Sequence, residues 1–516
     1  MICWLNALSL SGLISTVLSS AVTQSAQHAA CDAFKHQWSN ATYFPNSTLY
    51  DAVNQDYYSS QAFQRPACIV APSSAKDMAH AVRTLANFRS PFAIRGGGHM
   101  PIPDAANINY TGVLLASLKL REVELSQDGS TVKVGAGNHW GDVYEYLEPY
   151  QLTVVGGRMG VVGVSGFVLG GGISFFGAQY GWASSNVAQY DCVLANGTVI
   201  HAKTDNEHAD LYWALRGGGN SFAIVTAFHL KTVPLPTFAV GSINYAGTVS
   251  GEQFLDSVYE FAVNGSSDPK AHIVPMTAWN PAERRAEYSS MLFYHENDTN
   301  PEALHNFTNA MEARTNTFRL RGSMHDWALE ADPSNQAVFG LRNRFYLHTI
   351  RAHREALQVM QDTFIDFIAT EMSSVIGGQF TTAFMVIPES FALAAQANGG
   401  DPAGLDPSRA PYIWMQEVWV WTDPADDALV SSAFDSVHAR IEANLDELLG
   451  PGDDVRDPFI HLNHADYVQP VFEGYPNASL ARLREIRDKY DPDLVFTELM
   501  GGGWKFSKAY SGEYEA

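Results

Sequence analysis

Cationic side chains are scarce in this chain: 32 Lys and Arg stand against 55 Asp and Glu among 516 residues, a formal net charge of -23. A surface of that sign repels phosphate backbones and anionic lipid, which argues against nucleic acid and membranes as partners. Charged residues make up only 17%, against 46% hydrophobic and 12% aromatic. That balance buries a core and excludes wholesale disorder. Long apolar runs are missing too. The stretch from Trp4 to Leu18 is interrupted by Asn6, Ser9, Ser11 and Ser15 and is too short to span a bilayer. Small residues follow at Ser19, Ser20 and Ala21, so residues 1–22 read as a secretory signal peptide, although its start carries no Lys or Arg.

Cysteine is sparse at 4, and Cys3 leaves with the leader. Cys31, Cys68 and Cys192 remain, and an odd number allows at most one intrachain bridge. An oxidising lumen favours a staple near a loose N-terminus, so Cys31 is paired with Cys68. Cys192 lies in the apolar run Tyr190 to Leu194 and is expected to be a buried free thiol. Asn-X-Ser/Thr acceptors at Asn40, Asn46, Asn109, Asn196, Asn264, Asn297, Asn306 and Asn477 are dense and agree with a secreted glycoprotein.

What the chain has in excess is glycine, 41 residues, much of it in runs. Residues 68–230 alternate short strands with helices and glycine loops. A helix begins at Ser73 or Ser74, with Met78, Val82, Leu85 and Phe88 on one face. Asn196-Gly197 between two β-prone runs reads as a hairpin turn. After Pro234 the glycine runs stop. Helices are expected from Gly251 to Val263, Pro301 to Arg314 and Pro424 to Leu449, one long helix from Leu347 to Met372, and an aromatic strand from Tyr412 to Trp421. The fold class is α+β. The length favours several domains: 23–236, an inserted block at 237–455 with a sheet backed by helices, and 456–516 returning to the first part.

Gly96 to Gly98, Gly170 to Gly172 and Gly217 to Gly219 each adjoin a strand. Glycine tolerates positive φ and lets main-chain N–H groups approach a ligand. Converging loops of this kind bind a pyrophosphate without basic side chains, which suits an acidic protein. No loop is a Rossmann fingerprint or a Walker A motif.

The run Arg95-Gly96-Gly97-Gly98-His99 after the Pro91-Phe92-Ala93-Ile94 strand resembles the flavin-attachment loop of the berberine-bridge-enzyme-like family, vanillyl-alcohol-oxidase-type flavoproteins. The blocks 68–74, 162–172, 215–222 and 489–496 resemble it as well, so the likeness covers nearly the whole mature chain. The resemblance implies a two-part FAD-binding domain of the PCMH type with an inserted substrate domain, in the style of fungal secreted members. It implies FAD bonded through its 8α-methyl group to His99, the alternative being a loop histidine that only hydrogen-bonds. It further places Arg95, Gly96, Gly97, Gly98, Met100, Gly160, Gly163, Ser165, Gly166, Gly170, Gly171, Gly172, Asn186, Val225 and Asn463 around the cofactor. Relatives with a second, cysteinyl link carry it where this chain has Met159, and a thioether cannot form that bond, so one link is expected.

Where the family reads Tyr-x-Asn-Tyr-x-Asp, this chain reads His461-Leu462-Asn463-His464-Ala465-Asp466. His464 is the candidate base and His461 its rival; both can equally be structural hydrogen-bonders. On a strand His461 and Asn463 would share one face and His464 the other. The His-x-x-His spacing lacks a third ligand, so no metal is expected. On the aromatic strand Tyr412, Trp414 and Gln416 alternate to one face and Glu417 to the other. Trp414 stands where alkaloid-oxidising relatives carry a base; Trp414 and Gln416 are the expected pocket lining. Val162 falls at the family's oxygen-gating position, and its small side chain favours an oxidase. The resemblance thus implies a monomeric, secreted oxidase of a small, ring-bearing metabolite in secondary metabolism, passing electrons from FAD to O2. The alternatives are an oligosaccharide or simple alcohol oxidase and a flavin-dependent cyclase.

Overall fold

The computed structural model describes residues 26–506, so the signal peptide expected at 1–22 lies outside the described residues. Three sheets organise the chain. The first orders Thr42–Tyr43, Cys68–Val70, Val113–Ala116 and Phe92–Arg95, with the last three strands parallel. Between them runs the helix Ala75–Phe88, capped by the Ser74 hydroxyl accepting from Asp77 N–H. Its Met78, Val82 and Leu85 are fully buried, but Phe88, its last residue, is 42% exposed. Cys31 and Cys68 form a disulfide that ties the N-terminal helix to this sheet, and Cys192 is a buried free thiol.

The second sheet is antiparallel and centres on Ile224–Pro234, which pairs with Thr131–Gly135 on one side and Val187–Val193 on the other. Val187–Val193 also pairs with Val199–Ala202 across the Asn196-Gly197 turn, where Gly197 takes φ +74°.

The third sheet has eight antiparallel strands and begins at Phe238–Tyr245 in sequence. Helices Gly251–Val263, Arg354–Glu371 and Asp427–Leu449 cover one face of it, burying Phe254, Met360, Phe364, Val437 and Ile441 against Ile273, Phe384, Met415 and Trp419. The other face packs against the glycine-rich part through Val274, Met291, Leu347, Met385 and Trp414. Period-two alternation therefore splits each strand between two cores. The framework is α+β, two smaller sheets plus a large antiparallel sheet backed by helices.

Two expected helices are replaced. Leu347 to Met372 is not one helix: Arg342–Arg351 is a strand paired along its length with Tyr412–Trp421, and the helix Arg354–Glu371 starts only after His353 caps it. Pro301 to Arg314 gives a 3-10 turn at Glu302–Leu304, a short helix His305–Thr308 and the strand Ala313–Asn316. That strand pairs with Phe238–Tyr245, so in both cases sheet pairing overrides local helical periodicity.

Candidate active site

The glycine-rich part and the eight-stranded sheet enclose a cavity of about 400 Å3, within the ordinary range for ligand pockets. Strand Phe92–Arg95 delivers the first loop to it. Arg95 turns its guanidinium away from the cavity, donating to Val53 O (2.7 Å) and the Asp56 carboxylate (2.6 Å) over the Tyr57 ring. This pins the 53–58 segment. Tyr58 N–H donates to Gly98 O (3.0 Å), and the Tyr58 ring stacks on His99 at 4.2 Å while Phe339 meets it edge-on at 5.4 Å. Gly98 needs its φ of +71° to make that turn. Burial, reinforced by the charge of nearby His139, pushes the His99 imidazole down to about 4, so it is neutral at physiological pH.

The loops approach each other as bare backbone. A Cβ on Gly97 would lie 2.5 Å from Gly163 Cα, and one on Gly96 would strike Ser165 Oγ. A Cβ on Gly170 would strike Asn463 Oδ1, whose Nδ2 donates to Phe167 O (2.9 Å). Side chains at these points would fill the cradle. Of the expected cofactor contacts, Gly96, Gly97, Gly98, His99, Met100, Gly163, Ser165, Gly166, Gly170, Val225 and Asn463 line the cavity, as do Met159 and Val162. Five sit elsewhere. Arg95 braces the loop from behind. Gly160 faces Asp332, to which its N–H donates. Gly171 and Gly172 back onto Trp182 and Phe167 and turn the chain with positive φ. Asn186 donates to Tyr180 O and Trp182 O.

His461 and His464 do not alternate on a strand. Leu462–His464 is a 3-10 turn, which brings His461 Nδ1 within 3.2 Å of His464 Nδ1. His461 is buried against Trp182 and Trp414, with ring centroids at 5.3 and 5.4 Å, in a cluster where the two tryptophans also touch each other at 6.1 Å, whereas His464 lines the cavity. Trp414 therefore does not line the pocket: it is fully buried behind His461, and Gln416 and Val418 present that strand to the cavity. Burial holds His461 down at about 3 and His464 well below its usual range, with the Arg158 charge acting on both.

Residues not singled out from the sequence complete the wall. Gly502 and Gly503, from the run Gly501 to Gly503 near the C-terminus, line it beside Asn220, which accepts from Lys505 Nζ at 2.6 Å. Phe345, Val274, Met276, Met291 and Ala383 supply an apolar side, and Arg158 a cation. No Asp or Glu is among the described residues of the wall; its ionisable groups are His99, Arg158 and His464. Such a donor set fits a flavin dinucleotide: main-chain amides for its phosphates and a neutral imidazole for its ring. A cue to Arg158 was present in the sequence, a lone cation inside a glycine-rich stretch.

Glu417, on the opposite face of the same strand, meets His348 (3.2 Å), His438 (3.0 Å) and Trp419 Nε1 (2.8 Å) among the covering helices. Burial opposes the Glu417 charge, but the charge of His438 and hydrogen bonds from both histidines hold the carboxyl down at about 2. Burial likewise opposes the His348 charge, and hydrogen bonds to Glu417 and Glu442 raise it to about 9. The Glu417 contribution to stability is present above the ordinary carboxylate range and lost as pH falls through about 2. The His348 contribution is present below about 6.5 and lost as pH rises through about 9. Both operate in full between about pH 4.5 and 6.5. Glu417→Gln removes the carboxylate that the two histidines share, leaving His348 only Glu442, and should cost about 3–5 kcal/mol at pH 6, less at pH 10, by urea denaturation.

Residues 66–203 match the FAD binding domain family. The FAD-dependent monooxygenase prx3 of Penicillium roqueforti is 35% identical over 503 residues, covering 95% of this chain and 97% of that protein. The bifunctional solanapyrone synthase of Alternaria solani is 31% identical, over 93% and 89% of the two chains. Among solved structures, a glucooligosaccharide oxidase from Acremonium strictum, whose FAD is described as 6-S-cysteinyl, 8α-N1-histidyl, superposes with a TM-score of 0.73 at 19% identity, over 90% of this chain and 97% of that one. The aligned length and identity, the FAD-binding segment and the shared architecture agree: the chain is an FAD-dependent enzyme and belongs to the berberine-bridge-enzyme-like, vanillyl-alcohol-oxidase-type family of FAD-linked oxidoreductases.

Proposed function

We propose that this protein is an oxidase that carries FAD on one covalent bond to His99 and oxidises a small, apolar, ring-bearing metabolite. The observation that carries the reading is one cavity in which a clamped neutral imidazole, a wall of glycine backbone and the cavity-facing His464 meet without a carboxylate. Bound FAD supplies the hydride acceptor and returns its electrons to O2, giving H2O2. The neutral His99 ring has the lone pair that bonding to the 8α-methyl carbon requires. Met159, at the position of the second link in doubly tethered relatives, has no thiol to offer. Val162 on the wall leaves room for oxygen.

The substrate gives up a hydride and a proton, and His464 takes the proton. With Nδ1 engaged by His461, Nε2 is the free nitrogen of His464. In the tautomer where His464 Nδ1–H donates to His461, that Nε2 is an acceptor. His461, packed against two tryptophans, holds the ring in place. The apolar sheet wall of Val274, Met276, Met291 and Ala383 suits a ring better than a bare sugar, and Gln416 offers one polar contact. In this reading 23–236 and 456–516 hold the flavin and 237–455 the substrate. The disulfide, and eight glycosylation acceptors that are all exposed, support passage through the secretory pathway.

An oxygen-electrode screen of the purified protein against alcohols, sugars and polyketide- or alkaloid-like compounds tests the reading. Anaerobic bleaching of the flavin by an active compound, followed by one H2O2 per O2 consumed on admitting air, is the expected result. Bleaching without reoxidation by air would mark a dehydrogenase, and product formed with no bleaching a cyclase.

A further inference from the structure

Arg158 is the cation of the cavity wall, and the mechanism above leaves it without a task. Its backbone is fixed: Arg158 O accepts from Trp327 Nε1 at 2.8 Å. Its guanidinium is not neutralised. Nη1 is buried with no hydrogen-bond partner, and Nη2 reaches only the Met385 sulfur at 3.5 Å, a weak acceptor. Met385 belongs to strand Gln379–Ile387. Ala383, two residues earlier on the same face, lines the cavity, as does Met276 paired across from it. The charged head thus lies at the sheet wall, opposite the glycine cradle. A guanidinium presents a planar fork that matches two oxygens sharing one negative charge, and burying it unpaired is unfavourable until such a group arrives.

We propose that Arg158 anchors a delocalised oxyanion of the substrate, a carboxylate or the vinylogous acid of a 1,3-dicarbonyl, with the rest of the molecule on the apolar wall. This rests on the oxidase reading and narrows it to acidic substrates. The same pairing offsets the Arg158 charge felt by His464, so docking makes the base more basic.

The test titrates the holoenzyme with benzoate, methyl benzoate and cyclohexane-1,3-dione, read by perturbation of the flavin absorption band. Benzoate, the dione or both should bind while the ester does not, the two arms separating a carboxylate site from a vinylogous-acid site. Arg158→Gln should weaken acid binding by at least about 30-fold and Arg158→Lys by less. Acid-precipitable flavin content, measured on each variant, separates the two readings: a flavin-free protein would remove the oxidase reading, and calorimetry with the same probes would still report on Arg158. Equal binding of benzoate and its ester, unchanged acid affinity in Arg158→Gln, or a shift in the flavin's reduction potential without a change in acid affinity would each overturn the proposal.

Discussion

His99→Ala is expected to fold, to bind FAD reversibly, and to lose all of its yellow colour from the pellet on acid precipitation. The wild type should keep one flavin per chain through the same treatment. The expectation follows from separable parts. The backbone approach of Gly97 to Gly163 and the packing of Ser165 Oγ on Gly96 are features that the substitution does not touch, so the cradle persists. What goes is the imidazole held between Tyr58 and Phe339. Losing that stacking costs about 0.5–1.5 kcal/mol beyond burial, too little to unfold a chain of this size. Flavin that survives acid in His99→Ala would place the attachment on another residue.

The second large effect concerns His464. Removing a positioned general base typically lowers turnover about 10²–10⁴-fold, and His464→Ala should fall in that range with full flavin content and a normal flavin spectrum. His461→Ala should cost less, because His461 acts through its ring contact at 3.2 Å and stays buried behind the wall. Burial and the neighbouring His461, Arg158 and His99 hold His464 well below its ordinary value of 6.5. A base must be unprotonated to act, so the acid limb of kcat/KM should lie below pH 6.5 and vanish in His464→Ala. Wild-type turnover in that variant would leave both histidines as structural hydrogen-bonders.

The fold class and the glycine-lined side of the cavity were legible because glycine is informative in clusters. Runs such as Gly96 to Gly98 mark backbone that must approach other backbone, and the structure brings Gly97 against Gly163. Alternation on Tyr412–Trp421 was equally legible and put Gln416 and Glu417 on opposite faces. Depth was not. Trp414 shares its face with Gln416, yet it packs into a buried cluster with Trp182 and His461 instead of lining the cavity, and no strand pattern encodes a segment arriving from 47 residues downstream. The turn at Leu462–His464 was hidden because three residues carry no period. Arg342–Arg351 was obscured by helical spacing that runs on from the following helix, and its identity as a strand comes from pairing with Tyr412–Trp421.

The proposed tether is a permanent bond from one imidazole to the flavin. Proteolysis of riboflavin-replete protein followed by mass spectrometry tests it directly. The peptide containing residues 95–99 should appear at its own mass plus that of FAD less the two hydrogens lost in forming the bond, or plus that of FMN less two hydrogens after phosphodiesterase treatment, with the adduct on His99. Recovery of that peptide at its unmodified mass, from protein with full flavin occupancy, would contradict the account.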